Sequence, residues 1–317
     1  MDTKTEATRL NMNTKQKVKY KKNSKKKMNW ITDHLFLFPT ILFFLIFILY
    51  PILYNIMLSF KKMDVSNFMT GGVWAGLANY QAIFSDPLLY KALLNSFIFT
   101  FACIVIEFII GFALALLFRQ KFPGVNFMRG LILVVWMLPS VVVGVLYKWI
   151  MAGDSGVLNF VLTQVGLIEE NILWVSSEQF ALIAVTAANI WHGIPFYMII
   201  LLGGLSTLPR DLYEAAKIDG ANGWKSFLKI TLPLMKPTVL VLLMLGLINS
   251  FKVFDLIYVM TGGGPLDATT VIPYYAYKLS FLQFNFGEGG AVSGIMLILV
   301  IILAIVYLKL MQKEEAN

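Results

Sequence analysis

The sequence predicts an all-α integral membrane protein with six transmembrane helices. Of the 317 residues, 58% are hydrophobic and only 14% are charged, whereas soluble domains average about 45–50% apolar and about 25% charged residues. The apolar residues also form long stretches, and about 20 such residues cross a hydrocarbon core about 30 Å thick. Lysine and arginine, in contrast, concentrate in alternate connecting segments. Together these patterns favour a multi-pass protein over a soluble one.

Six apolar stretches are long enough to be transmembrane helices, and polar segments separate them. They define a transmembrane domain over residues 35–310, with polar tails at 1–34 and 311–317. The predicted spans are 35–59, 93–118, 130–151, 179–203, 236–260 and 289–310. The first is long and has no small-residue cleavage pattern, so we expect it to be a retained helix and not a signal peptide. An even number of spans places both termini on the same side.

The positive charges predict which side that is. With the N-terminus inside, the inner segments hold 20 of the 26 Lys and Arg residues and the outer segments hold 6. Because retained Lys and Arg favour the cytoplasm, we expect both termini to be cytoplasmic. Ten of these cations lie in residues 1–34, a tail too polar to fold alone. Its place before a span favours contact with anionic lipid over nucleic acid, so no nucleic-acid partner is expected.

The most informative segment is the predicted cytoplasmic loop 204–235. Asp211 is placed to cap a short helix, and Gly220 supplies the backbone freedom for a sharp reversal. A second short helix follows, which we expect Pro233 and Pro237 to end. Its apolar residues recur at helical spacing and form a face that could dock in a partner's groove. These residues are Trp224, Phe227, Leu228 and Ile230. The alternative is an ordinary amphipathic connector.

This segment resembles the EAA loop of binding-protein-dependent ABC importers. The matching positions are Glu214, Ala215, Ala216, Asp219, Gly220, Ala221, Phe227, Ile230, Leu232 and Pro233. In that family the loop forms the coupling helix, which sits in a cleft of a separate ATPase subunit. The resemblance therefore implies that these ten residues transmit movements of the ATPase to the membrane helices.

Further stretches resemble the sugar branch of that family, the MalF-like and UgpA-like permeases known as carbohydrate uptake transporter 1. Gly262, Gly263, Gly264 and Pro265 are similar to its outer loop, as are residues 254–258, 268–270 and 286–287. Segments 191–196 and 76–80 are similar as well. Carried over, the resemblance implies a sugar importer in a bacterial cell membrane, with Gly262 to Pro265 shaping a docking surface for the binding protein or a gate.

Besides the lipid bilayer, the same resemblance implies four partner chains. These are a second, MalG-like permease, two ATPase subunits and an extracellular sugar-binding protein. ATP and Mg²⁺ would bind to the ATPase, so no cofactor is expected in this chain. Consistent with this, the nearest approach to a phosphate-binding loop, at 220–226, has Trp224 where that motif needs glycine. His34 and His192 are the only histidines and Cys103 is the only cysteine. We therefore expect neither a metal site nor an enzymatic activity.

Polar residues within the spans are candidates for contact with the solute. Trp191 and His192 are predicted near the middle of span four, and Asn249 near the middle of span five. Polar groups at that depth should face the bundle interior or a wet pathway. Aromatic faces and hydrogen-bonding groups are what a sugar requires. For each residue singly, packing and hydrogen bonding between helices remains the alternative.

Glu107 lies near the middle of predicted span two and is the one acid expected to be buried in the membrane. A proton-coupled secondary carrier would need such a group, although a single carboxyl kept neutral or paired inside the bundle also explains it. Two rival functions therefore stay open. One is an importer for another solute, such as glycerol phosphate or a peptide, and the other is a proton-coupled carrier that uses Glu107.

Overall fold

The computed structural model describes residues 37–315 and is almost entirely helical. The predicted basic tail, residues 1–34, lies outside the described residues. The chain divides into two units, residues 1–57 and 58–317. The described part of the first unit lies in helix α1 (Leu37–Ser59), whose apolar side chains are largely exposed. Exposure of this kind suits a helix surrounded by lipid, because hydrocarbon is as apolar as the side chains.

The second unit contains a short two-stranded ribbon and thirteen described α-helices. The ribbon pairs β1 (Lys61–Lys62) with β2 (Val73–Trp74) in antiparallel register. The helices are α2 (Ala78–Ser85), α3 (Pro87–Arg119), α4 (Val125–Met137), α5 (Ser140–Ile150), α6 (Val157–Gln164), α7 (Ala181–Ser206), α8 (Arg210–Ile218), α9 (Gly223–Ser226), α10 (Leu232–Leu234), α11 (Lys236–Phe251), α12 (Asp255–Met260), α13 (Ile272–Tyr277) and α14 (Phe286–Glu315).

Five stretches of described helix are long and apolar enough to cross a membrane, which confirms the predicted helical membrane fold. They are Leu37–Ser59, Pro87–Arg119, Ala181–Ser206, Lys236–Met260 and Phe286–Gln312. Each overlaps a predicted span, although α3 begins six residues earlier than predicted because Asp86 caps it. Helix α14 continues past residue 310 to Glu315, so part of the predicted C-terminal tail is helical.

The predicted span 130–151 is not one straight helix, which corrects the sequence-based expectation. It consists of α4 and α5, which meet at an angle of 95°. Pro139 explains the break, because its ring disfavours helical geometry at the preceding residue. Leu138 accordingly has an extended backbone, with φ −67° and ψ 137°. The two pieces count as a sixth span only if the bent pair is taken together.

Helices α3 and α7 form the centre of the second unit, and α11 packs against both. Small residues allow this close approach. A side chain at Gly111 of α3 would place its Cβ 2.6 Å from Cβ of Tyr197 and 3.1 Å from the backbone nitrogen of Met198, both on α7. Because small residues at such contacts let helix backbones approach, Gly111 fixes the α3–α7 distance. This pair carries one wall of the cavity described next.

Candidate functional site

A cavity of about 350 Å³ lies between α3, α4, α5, α7 and α11. Its wall combines aromatic rings with polar groups. The lining residues are Glu107, Trp136, Ser140, Asn189, His192, Gly193, Phe196, Tyr197, Gly246, Asn249, Ser250 and Val253. A second cavity of about 230 Å³ shares Ser140, Asn189, His192 and Asn249 and reaches Lys252 and Asp255. The two together form a polar path along the inside of these helices.

The aromatic part of the wall is a pair of rings from two helices. Trp136 and Phe196 stack with ring centroids 5.6 Å apart and planes 29° apart. Trp136 lies in the last turn of α4, directly before the Pro139 break. About half of the Trp136 side chain is exposed. The pair therefore presents an accessible aromatic face beside polar groups.

His192 and Asn249, both predicted to face the pathway, line the cavity. Nε2 of His192 donates to the backbone carbonyl of Leu138 at 3.0 Å, a group that the break at Pro139 releases from the helix. In the neutral ring this leaves Nδ1 as an acceptor. The side-chain amide of Asn249 has no hydrogen-bond partner within residues 37–315. Asn249 lies two residues before the end of α11 and, as predicted, near the middle of the membrane-crossing stretch Lys236–Met260.

Trp191, the third predicted pathway residue, does not line the cavity. Its ring lies 5.5 Å from that of Tyr147, at an angle of 55°. It packs against a buried cluster that includes Ala188 and Leu256. Consecutive residues on a helix point about 100° apart, and here the Trp191 ring faces Tyr147 while His192 lines the cavity. The geometry therefore matches the packing alternative for Trp191.

Glu107 is buried, with 3% of its surface exposed. Oε1 of its carboxyl accepts a hydrogen bond from Nδ2 of Asn189 at 3.3 Å. The backbone of Gly193 lies so close that a Cβ there would overlap the carboxyl group. This arrangement agrees with the interpretation of a carboxyl paired inside the bundle.

Sequence reasoning missed several residues of this wall, and two signals could have found them. Asn189, His192 and Phe196 lie three and four residues apart, so they share one face of α7. The proline inside an apolar stretch marks a break, and broken helices inside membrane proteins border cavities. Trp136 and Ser140 flank that break.

At the other end of the bundle, α8 and α9 form the predicted EAA loop. The chain reverses at Gly220, which has a φ of +75°. Only glycine adopts this left-handed region without strain, as predicted. The side chain of Asn222 then caps α9 by accepting from the backbone nitrogen of Lys225 at 2.8 Å. Asp211 is not the cap of α8, because that helix begins at Arg210 and Asp211 lies in its first turn.

The predicted coupling residues separate into outward and inward groups. Those with exposed side chains or backbone are Glu214, Ala215, Asp219, Gly220, Leu232 and Pro233, and those that are half-buried are Ala216, Ala221, Phe227 and Ile230. Trp224 is also exposed, at 67%. Phe227 instead packs edge-on against Phe112 of α3, with centroids 5.4 Å apart. The predicted apolar face thus divides, and only part of it is open to a partner.

Pro233 and Pro237 do not end the second helix, which corrects the prediction from sequence. Instead, a π-helical turn over Phe227–Thr231 precedes α10, and α11 follows almost directly. Each proline lies in the first turn of its helix. The N–H of a residue in the first helical turn has no acceptor within the helix, so a proline there costs little stability. The loop therefore passes into α11 as a nearly continuous helical rod.

One contact ties the loop to the end of α3, and a second joins the two helical parts of the loop to each other. The guanidinium carbon of Arg119 lies 4.8 Å from the ring centre of Tyr213. The Tyr213 hydroxyl is 2.9 Å from that of Thr231. Leu116, Arg119, Tyr213, Trp224 and Phe227 border a groove of about 450 Å³ between these elements. A displacement of the loop would therefore reach α3 and α11 directly.

The predicted outer loop is a compact turn. Gly262 and Gly263 have φ values of +57° and +79°, and a Cβ at Gly263 would overlap the ring of Tyr274. Thr269 donates to the carbonyl of Gly264 at 2.9 Å. At the tip, Leu266 is 79% exposed. Within the glycine run, Gly263 is buried and Gly262 is exposed, and the residue just after Pro265 faces outward.

An ion pair closes this turn. Nζ of Lys278 lies 2.8 Å from Oδ1 of Asp267, and the Thr270 hydroxyl donates to the same oxygen at 3.0 Å. Burial by itself raises the pKa of the Asp267 carboxyl. The hydrogen bonds from Lys278 and Thr270, with the charges of Lys278 and Lys91, outweigh that effect and leave the pKa below its usual value.

We expect the turn to loosen in acid. A lowered pKa means that the ionised carboxyl stabilises the turn at pH values above its ordinary pKa of about 3.9, and that this contribution disappears as the pH falls through the lowered value. Protection of the amides of residues 261–271 against hydrogen exchange, relative to the intrinsic rate at each pH, should therefore fall below about pH 4. In Asp267→Asn the exchange should already be faster at pH 7 and should lose this acid dependence. An unchanged pH profile in that variant would contradict the role of the ion pair.

Among residues 37–315, no three His, Cys, Asp or Glu side chains lie together in a way that could hold a metal ion.

Comparison with known proteins places these features in a family. The model of the binding-protein-dependent transport system inner membrane component matches residues 107–313. The trehalose/maltose transport system permease protein MalF of Thermococcus litoralis is 34% identical, over 87% of this chain and 92% of that protein. The sulfoquinovosyl glycerol transport system permease protein SmoG of Agrobacterium fabrum is 32% identical, over 89% of this chain and 90% of that one.

The fold also resembles that of a solved membrane complex. A chain in the crystal structure of a bacterial alginate ABC transporter, in complex with an alginate pentasaccharide-bound periplasmic protein, superposes with a TM-score of 0.76. The two sequences are 23% identical, and the match covers 89% of this chain and 93% of that one. At this identity the likeness concerns the fold.

Proposed function

Because the chain belongs to the family of binding-protein-dependent transport system inner membrane components, we propose that it forms half of the sugar pathway in an ATP-driven importer. It is a permease subunit of an ABC transporter. The proposed complex adds a second permease, two ATPase subunits and an extracellular sugar-binding protein. In this assembly both termini are cytoplasmic, the chain itself catalyses no reaction, and ATP and Mg²⁺ bind to the ATPase.

The composition of the cavity wall is the main support for a sugar as the solute. Sugars bind by stacking on aromatic faces and by hydrogen bonds to their hydroxyl groups. The Trp136–Phe196 pair supplies the face. His192, Asn189 and Asn249 supply donors and acceptors within the same 350 Å³ space. The names of the curated relatives, which include transporters of trehalose, maltose and sulfoquinovosyl glycerol, support the same class of solute.

The loop 204–235 is proposed to couple this pathway to the ATPase. Its outward group presents Glu214, Asp219 and Trp224 to a partner. Its inward group contacts α3 through Phe227. When ATP binding closes the ATPase dimer, a loop held in its cleft moves with it and carries α3 and α11 along. The outer turn at Gly262 to Pro265, with exposed Leu266, is proposed to meet the sugar-loaded binding protein.

ATP hydrolysis by the reconstituted complex tests this function. We expect the sugar-loaded binding protein to stimulate ATP hydrolysis in proteoliposomes. Radiolabelled sugar should accumulate only when ATP is supplied on the side of the membrane that carries the ATPase. Uptake by this chain alone, driven by a proton gradient and abolished in Glu107→Gln, would instead support the proton-coupled carrier. The family favours the importer over the proton-coupled carrier, because a binding-protein-dependent transporter is driven by a separate ATPase.

Two tryptophans should differ in their roles. Trp136→Ala removes an accessible ring from the cavity wall, so the KM for sugar should rise by about tenfold, which corresponds to the loss of about 1.4 kcal/mol of binding, with little loss of thermal stability. Trp191→Ala removes a ring packed against the core and should destabilise the protein by up to about 3–5 kcal/mol. Uptake kinetics and thermal unfolding of the purified complex separate the two. The reverse pattern would return Trp191 to the pathway.

A further inference from the structure

The floor of the cavity holds two polar groups that the fold itself leaves incompletely used. The hydroxyl of Tyr197 is buried and forms no complete hydrogen bond within residues 37–315. Its neighbour is the carboxyl group of Glu107, with which it interacts without a bond of good geometry. Only 2% of Tyr197 and 3% of Glu107 are exposed. Because an unsatisfied buried hydroxyl costs about 1–3 kcal/mol, such a group calls for a reason.

Three glycines hold these two groups in place. Tyr197 lies between α3 and α11, where a Cβ at Gly111 would overlap its Cβ and one at Gly246 would overlap its hydroxyl. On the other side, Gly193 leaves room for the Glu107 carboxyl. The position of the Tyr197 hydroxyl is therefore set by close backbone contacts on both sides, and the ring has little freedom to turn toward another partner.

The hydrogen-bonding capacity that remains lies at the wall of the cavity. Oε1 of Glu107 accepts from Asn189 at 3.3 Å, which leaves Oε2 for another partner. Both Glu107 and Tyr197 border the 350 Å³ cavity. Beyond Tyr197 the bundle is filled by a buried apolar cluster that includes Phe112, Leu201 and Leu242. The two groups therefore mark the end of the polar space, where a solute entering it would stop.

We propose that Glu107 and Tyr197 form a hydroxyl-binding subsite at the floor of the cavity, which holds one hydroxyl group of a neutral sugar. The proposal rests on the proposed function and names the solute class of the same site. The sugar hydroxyl accepts a hydrogen bond from the phenol of Tyr197 and donates one to Oε2 of Glu107. An anionic solute is disfavoured here, because the lining of this cavity contains no lysine or arginine to pair with it.

Tyr197→Phe and Glu107→Gln in the complete transporter complex test the subsite. The probes are radiolabelled trehalose, maltose, sucrose and cellobiose, each with the binding protein present, and the sugar taken up fastest by the wild type is used for kinetics. Each substitution should raise the KM roughly three- to tenfold, as the loss of one solute hydrogen bond predicts. The double variant should be less impaired than the product of the two single effects, because both groups bind one hydroxyl.

Thermal stability separates binding from a structural role. Removing an unpaired buried hydroxyl should leave the unfolding temperature of Tyr197→Phe unchanged or raise it, while affinity falls. Tyr147→Phe is the matched control, because Tyr147 lies on α5 against Trp191 and does not border the cavity. We expect it to keep the wild-type KM.

The outcomes distinguish a failure of the subsite from a failure of the sugar assignment. Wild-type uptake of a panel sugar with an unchanged KM in both variants would overturn the subsite and leave the importer intact. A lower unfolding temperature in Tyr197→Phe, with the KM unchanged, would assign Tyr197 to packing and overturn the subsite as well. No ATP-dependent uptake of any panel sugar by the wild type would overturn both the sugar assignment and the subsite that rests on it.

Discussion

Gly220→Val is expected to reduce ATP-driven uptake by at least about tenfold without reducing the amount of assembled complex. Gly220 has a φ of +75°, and a β-branched residue in that region costs about 1–2 kcal/mol or more. No atom lies within 4 Å of the position that a Cβ would occupy. The substitution therefore acts on the backbone alone, by changing the angle at which α9 follows α8.

Gly223→Val provides a matched control three residues away. Gly223 also has open space around its Cβ position, but it begins α9 and lies outside the left-handed region. A side chain there should leave uptake within about twofold of the wild type. The measurements are sugar uptake and binding-protein-stimulated ATP hydrolysis in proteoliposomes. Equal activity of the two variants would mean that the turn geometry at Gly220 does not set the coupling.

Gly111→Leu should strongly destabilise the packing of α3 against α7. A Cβ at this position would already lie 2.6 Å from Cβ of Tyr197 and 3.1 Å from the backbone of Met198. Because backbone cannot move aside as a flexible side chain can, the added atoms must separate α3 from α7. Overpacking of this kind costs about 3 kcal/mol or more. Thermal unfolding of the purified complex in detergent measures the effect.

Gly203→Leu is the corresponding control on α7. Gly203 has no atom within 4 Å of its Cβ position. Since leucine favours a helix over glycine by up to about 1 kcal/mol, stability should stay equal or increase. If Gly111→Leu unfolded at the same temperature as Gly203→Leu, the close contact at Gly111 would not control the spacing of α3 and α7.

The fold class, the family and the position of the reversal in the coupling loop could all be predicted from the sequence. These properties follow from local patterns. A run of about 20 apolar residues specifies a span wherever it packs, and the spacing around Glu214 and Gly220 is readable along the chain. Gly220 needs a left-handed backbone because no other residue adopts it without strain, so its turn was predictable before any contact was known.

Which side chains come into contact could be seen only in the tertiary structure. The sequence favoured Trp191 and His192 equally, yet adjacent positions on α7 face different neighbours, and Trp191 joins the core while His192 lines the cavity. Trp136 and Phe196 lie 60 residues apart and stack only because Pro139 bends the chain by 95° beside α7. Glu107 and Tyr197 are brought together by the close approach at Gly111. Such contacts depend on helix rotation and separation, which the packing of the whole bundle sets and hydrophobic periodicity does not encode.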